Sequence, residues 1–262
     1  RFETTMSTLI TESSLDDLYG WHRAAHALVA LAGGHGELTD SLLVNFVSHM
    51  SPFARSYAAR AATITGNVDV LFNLMEDVAP NVRVVAAQGL FAIRGQDVDS
   101  TLIAQLGSTD PFLVLTVARL LEGSSNRDRI IGPVMVAFER ISQERKQTHR
   151  DPRVALLERI REFGGSKQMV PLEPYLRDHD PVIAKKVSEI LNEWTRAEFL
   201  AESQEVQRLP MPTIRDIERM EYTVVTLHME RGGEIPIRLL PTLAPTHAYR
   251  FKNLAESGRL DG

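Results

Sequence analysis

The sequence predicts a mainly α-helical protein. Residues 1–207 read as a repeat solenoid of short antiparallel helix pairs, 208–221 as a linker, and 222–262 as a small β-hairpin followed by a helix. Three observations carry this expectation. Aromatic residues make up only 6% of the chain while Ala, Leu and Val recur throughout, which favours closely packed helices over aromatic-rich strand sandwiches. Prolines recur just ahead of helix-forming runs at a spacing suited to a helix pair. Near residue 222 the pattern changes from helical to strand-like.

The prolines set the register. Pro52, Pro80, Pro111, Pro152 and Pro181 stand 28, 31, 41 and 29 residues apart, enough for two short helices and two turns each. Proline suits the first helical turn, where its missing N–H is no loss. The 41-residue interval must hold an extended helix or loop. Val82, Val85, Ala86, Leu90 and Ile93 fall on one helical stripe. The seventh residue after the proline is Ala59, Ala87 and Ala118 in three consecutive units, small enough for neighbouring helices to approach closely.

Each unit's second helix precedes the next proline, at 68–76, 98–106, 130–145 and 170–177. An earlier unit spans 15–31, where Arg23-Ala24-Ala25-His26-Ala27 lines up with Tyr57-Ala58-Ala59-Arg60-Ala61, and 37–49 supplies its second helix. Residues 181–207 read as one long or broken helix, stopped by Pro210 and Pro212. Residues 222–229 and 234–240 read as paired strands joined through Gly232-Gly233, because glycine permits the positive backbone angles of tight hairpins. A helix within 241–258 has prolines at its entrance and Gly258 at its exit. A lone hairpin is marginal in water, so this segment is expected to need further packing.

Composition excludes several kinds of chemistry. With no cysteine there is no disulfide scaffold, thiol catalysis or thiolate zinc site. A net charge of −5 and pI near 5.9 give no global pull toward nucleic acid and weigh against a DNA glycosylase groove. No run of about 18 apolar residues spans a bilayer. The chain begins at Arg1 rather than Met and reads as a fragment, leaving cytoplasm and bacterial periplasm both open.

No residue is nominated as catalytic, cofactor-binding or metal-ligating. His22 and His26 have the four-residue spacing of a helical metal pair, but no glutamate follows His22 and ordinary helix packing explains them better. Asp16-Asp17 and Glu76-Asp77 read as helix-end capping carboxylates. Gly33-Gly34-His35-Gly36 ends a helix and lacks the Lys-Ser/Thr of a phosphate loop. The run 144–150 reads as a solvated basic helix end.

Asp-Pro followed by Val, small residues and then Leu or Ile resembles the outline of HEAT repeats, particularly the short bacterial kind. Arg55 and Arg83 sit where such repeats often carry arginine. Val114, Ala155 and Ala184 stand there in later units, so no continuous polar ladder is expected. The resemblance implies a curved superhelix whose concave face holds a protein or peptide client.

The segment 234–262, EIPIRLLPTLAPTHAYRFKNLAESGRLDG, resembles the opening of a cyclophilin-type peptidyl-prolyl isomerase. The shared outline is two strands, a Pro-x-x-Ala-Pro turn, a helix with Phe251 and Leu254, and the final Asp261-Gly262, so that 222–262 as a whole reads as a truncated cyclophilin-like N-terminal segment. Arg250 stands where asparagine is common, and Arg259-Leu260 replace the usual aromatic. In that family the Phe-His-Arg signature follows this Asp-Gly, and none of it is present here. The resemblance implies a parent isomerase for which this chain is the client-binding scaffold. The alternative is a non-catalytic adaptor. Client identity and oligomeric state stay open.

Overall fold

A computed structural model describes residues 2–12, 20–195, 197–202, 211–230 and 232–260. The expected caps Asp16-Asp17, the start of the 15–31 helix, and the terminal Asp261-Gly262 lie outside them. The chain divides into two compact units, Arg1–Gln204 and Glu205–Gly262. It is mainly helical, with one small two-stranded antiparallel sheet.

The first unit opens with α1 (Phe2–Glu12), which the sequence reading did not foresee. Six further helices, α2 (Gly20–Ala32), α4 (Pro52–Thr65), α6 (Pro80–Arg94), α8 (Pro111–Leu120), α10 (Arg150–Phe163) and α12 (Pro181–Thr195), form one row in which each packs on the next. Behind them lie α3 (Gly36–Val47), α5 (Val68–Leu74), α7 (Asp99–Gln105), α9 (Arg127–Gln143) and α11 (Met169–Leu172). One contiguous apolar core runs between the two layers. Small side chains recur on its front row: Ala58, Ala59, Ala86, Ala87 and Ala118 are all fully buried, beside larger ones such as Leu90 and Leu113.

At Gly89, α6 packs tightly against α4 and α5. A Cβ at Gly89 would run into the Thr63 hydroxyl and both Leu71 methyls, so glycine's helix-weakening cost is offset by a contact no other residue allows.

Polar joints fix the front row. Three residues ahead of four of its helices, His49, Asp77, Ser108 and Asp178 each accept the backbone N–H two residues on, from Ser51, Ala79, Asp110 and Asp180. An arginine at the fourth position of the preceding helix holds three of these acceptors. Arg55 binds Asp77 through Nε at 2.5 Å and Nη2 at 2.8 Å, and its Nη1 reaches the His49 carbonyl. Arg83 donates to Gln105 at 3.0 Å and Ser108 at 3.5 Å. Arg153, buried to 1% exposure, makes a two-pronged pair with Asp178 and donates to Ser142 at 2.9 Å.

This corrects the expected register of the fourth unit. The helix α10 begins at Arg150, so Pro152 is its third residue and Arg153, not Ala155, occupies the arginine position. Arg150 itself reaches Asp180 at 2.6 Å, which ties the supposedly solvated basic run to the next helix entrance. Within the described residues the joint is missing between α8 and α10, where buried Val114 stands at the fourth position.

Other boundaries also shift. Residues 166–177 are not one helix: α11 is a single turn flanked by 3₁₀ turns at Ser166–Gln168 and Glu173–Arg177, because Pro171 and Pro174 interrupt the backbone donors. The last helix ends at Thr195 rather than continuing. There Asn192 accepts the Phe199 N–H while Asn192 and Ser188 donate to the Phe199 carbonyl, folding 197–202 back.

In the second unit, α13 (Ile214–Arg219) occupies part of the expected linker, started by a Thr213–Asp216 capping box. Strands β1 (Val224–His228) and β2 (Glu234–Arg238) pair with Val225 opposite Ile237, and Gly232 and Gly233 both adopt positive φ in the turn. The closing helix is α14 (Pro245–Glu256). Met220, Leu239 and Ala248 form a small core, while Tyr222, Leu227, Ile235 and Leu243 remain exposed.

Ala87 tests the packing directly. An Ala87→Leu substitution overfills a fully buried contact and is expected to cost about 1–3 kcal/mol. Thermal melting checks it, and an unchanged midpoint would place Ala87 outside the close helix contact.

Candidate functional site

The front-row helices turn one stripe away from the core. Counting from the first helical residue, positions two, nine and thirteen share a face: Phe53, Arg60 and Ile64 on α4; Asn81, Gln88 and Ala92 on α6; Asp151, Glu158 and Glu162 on α10; Val182, Glu189 and Glu193 on α12. The short α8 contributes Phe112 and Arg119. On α2, Arg23, His26 and Ala30 repeat the spacing of Tyr57, Arg60 and Ile64. All of these are exposed except half-buried Tyr57 and Glu158.

At the α2–α4 end, aromatic and imidazole rings gather. The Trp21 ring is buried beside Phe53, the two planes only 4° apart and 6.5 Å between centroids, and the His22 ring stacks on Trp21 at 3.7 Å. Tyr57 meets Trp21 edge-on, and its hydroxyl is hydrogen-bonded to His26 Nε2 at 3.1 Å. Arg60 lies over the Tyr57 ring at 4.9 Å, a cation–π arrangement that holds the guanidinium on the open face. Thus His22 and His26 join an aromatic surface. Among the described residues, no group of three potential metal ligands occurs.

Charge divides along the stripe. The exposed positions of α2, α4, α6 and α8 on this face carry Arg23, His26, Arg60 and Arg119 and no carboxylate. From α10 onward carboxylates predominate and, Asp151 apart, are paired internally: Glu193 accepts from Arg161 at 2.6 Å, Glu158 pairs with Lys186, Glu162 with Arg159, and Glu189 lies 3.8 Å from Lys185. Arg23, Arg60 and Arg119 have no hydrogen-bond or ion-pair partner among the described residues. Between α8 and α10, where the arginine joint is missing, a cleft of about 270 Å³ opens beside Arg119, Glu122, Asp151, Val154, Glu158 and Arg159.

The joints beneath this face also shift the titration of two of their carboxylates downward. Burial pushes the Asp77 carboxyl up, but hydrogen bonds from Arg55 and the Ala79 N–H, with the charges of Arg55 and Arg83, bring it below the ordinary carboxylate value. Asp180 behaves alike: burial raises it, and Arg150, the Val182 N–H and the charge of Arg153 together lower it. The sequence reading missed these joints because their acceptors differ in type. The detectable signal was their constant place, three residues before the helix.

Compared with protein-family models, curated proteins and solved structures, the chain matches none.

Two measurements address the joints. Removing one member of a buried pair leaves the other charge uncompensated, so Arg153→Ala is expected to lower stability by about 3–5 kcal/mol in urea melts. Asp77 titrates lower when folded than when unfolded, so its stabilisation is complete above the unfolded value near pH 4 and lost as pH falls through the folded value. The melting gap between the natural protein and Asp77→Asn should therefore hold steady from pH 8 to 6 and narrow toward pH 3. A gap independent of pH would remove the carboxylate from this role.

Proposed function

We propose that the first unit is a HEAT-type solenoid that binds a protein or peptide client on its concave, front-row face, as the scaffold of a cyclophilin-type peptidyl-prolyl isomerase. The observation that carries the solenoid reading is the repeated joint: Arg55, Arg83 and Arg153, at the same helical position, each hold the acceptor that leads into the next front-row helix. Equivalent joints at equivalent places favour a repeat architecture, and direct packing along the front row favours its lying on the inside of a bend. The strand, turn and helix order of 234–256, with Phe251 and Leu254 on α14, supports the isomerase reading. The departures at Arg250 and Arg259-Leu260 favour the adaptor alternative.

Catalysis is not expected from this chain alone. Rotating an X-Pro bond meets a barrier of about 18–20 kcal/mol because amide resonance resists twisting. Lowering it requires groups that stabilise the twisted amide rather than merely hold the peptide. In the resembling family those groups follow the segment present here.

A protease-coupled assay on a short X-Pro peptide compares the 262-residue chain with one extended through the rest of the isomerase domain. The extended form should accelerate rotation and the 262-residue chain should not. Activity in the shorter chain would mean that the catalytic residues lie within it. Silence in both would leave the adaptor reading.

A further inference from the structure

We propose that the α2–α8 half of the front-row face binds a short, extended, acidic segment of a partner protein, with carboxylates on Arg23, Arg60 and Arg119 and apolar side chains against Phe53, Tyr57 and Phe112. The proposal rests on the client-binding reading of this face and names the chemistry of the client.

Charge complementarity carries it. Arg23, Arg60 and Arg119 are exposed, share one stripe, and have no acidic partner among the described residues, while carboxylates farther along pair with Lys185, Lys186 and Arg161. The unpaired cations of the stripe therefore all lie in its first half, and the one unpaired carboxylate among the named stripe residues, Asp151, lies beyond it. Arg60 is also held on the open face by the Tyr57 ring, so less side-chain freedom is lost when a carboxylate arrives. Phe53 and Phe112, at the same position of α4 and α8, are 63% and 59% exposed, which places large apolar surface beside the cations.

Length and spacing follow from the helices. Packed helices lie about 8–10 Å apart, and an extended strand advances about 3.3 Å per residue, so the peptide spends roughly three residues per helix. Carboxylates at positions 1, 4 and 10 of a ten-residue segment would meet α2, α4 and α8, with an amide-compatible residue over Gln88 of α6. A longer polyanion such as a nucleic acid fits less well, because past α8 it meets Asp151 and Glu158, and the chain's net charge is −5.

The test uses three fluorescent twelve-residue peptides of identical apolar content: one with glutamates at this spacing, one with lysines there, and one with glutamines. Anisotropy is measured at about 50 and 300 mM salt with the natural chain, Arg23→Glu/Arg60→Glu/Arg119→Glu and Phe53→Ala/Phe112→Ala. Circular dichroism confirms that these surface variants remain folded. The glutamate peptide should bind best and weaken at high salt. The triple charge reversal should raise its Kd at least about tenfold, and the phenylalanine pair should weaken it at both salt concentrations. Equal binding of the glutamate and glutamine peptides, or no effect of the charge reversal, would overturn the proposal.

A photocrosslinking residue at Gln88 or at Val182 separates its failure from that of the underlying reading. Capture of the lysine peptide at Val182 alone would leave a client-binding face but reject the acidic client. Capture of no peptide at either position would reject both. Tighter binding of a twelve-residue oligothymidylate than of the glutamate peptide would assign the stripe to single-stranded nucleic acid. Concentration-dependent dimerisation abolished by the charge reversal would assign it to a second copy of the chain, and either result would overturn the proposal.

Discussion

The front row of helices depends on one device: an acceptor three residues ahead of a helix takes up a backbone N–H that the helix start would leave unpaired, and an arginine from the previous helix holds that acceptor. A helix entrance exposes several N–H donors, and between packed helices water cannot reach them freely. His49, Asp77, Ser108 and Asp178 answer this locally. Arg55, Arg83 and Arg153 then convert a local cap into a joint between neighbours. Apolar packing alone is tolerant of sliding, and the alanine-rich buried face of α4 offers few large side chains to resist it. Directional bonds at the helix entrances supply the missing specificity.

That device also explains how the row can carry two sets of arginines with different fates. Arg55, at the fourth position of α4, is drawn down to the next entrance and bonded to Asp77. Arg60, at the ninth position, lies over Tyr57 on the open side. Five residues on a helix turn a side chain through about 500°, far enough to separate the interior-facing and outward-facing roles. Charge inside the array is thus consumed by structure, whereas Arg60 on the stripe has no hydrogen-bond or ion-pair partner among the described residues.

Much of this organisation was legible from the residues. The proline spacing located α4, α6, α8 and α12, the recurring Ala59, Ala87 and Ala118 marked a buried contact, and Gly232-Gly233 marked the hairpin. The register of α10 was not legible, because a proline tolerates any of the first helical positions and Pro152 occupies the third rather than the first. The joints were hidden for a chemical reason: histidine, aspartate and serine accept the same hydrogen bond, so geometry recurs without a recurring letter. Likewise the end of α12 depends on Ser188 and Asn192 reaching the backbone of Phe199, a long-range contact with no periodic trace. The surface stripe became visible only once the helices were placed side by side, since Arg23, Arg60 and Arg119 have no short-range motif in common.

The interruption between α8 and α10 ties the joints to the stripe. With Val114 in place of an arginine, no polar bond draws α8 toward the entrance of α10, and the cleft of about 270 Å³ opens there. The same interval is where the stripe changes sign, with Arg119 on one wall and Asp151 and Glu158 on the other. Opposite charges across a solvent-filled gap attract weakly because water screens them, so they are a poor substitute for the missing joint. Of the junctions linking α4 through α12, this is the one whose fourth-position residue is not an arginine, and the exit of α8 is tied to α10 instead by Arg159 with Glu122 at 3.6 Å and by the Gly123 N–H donated to Glu162.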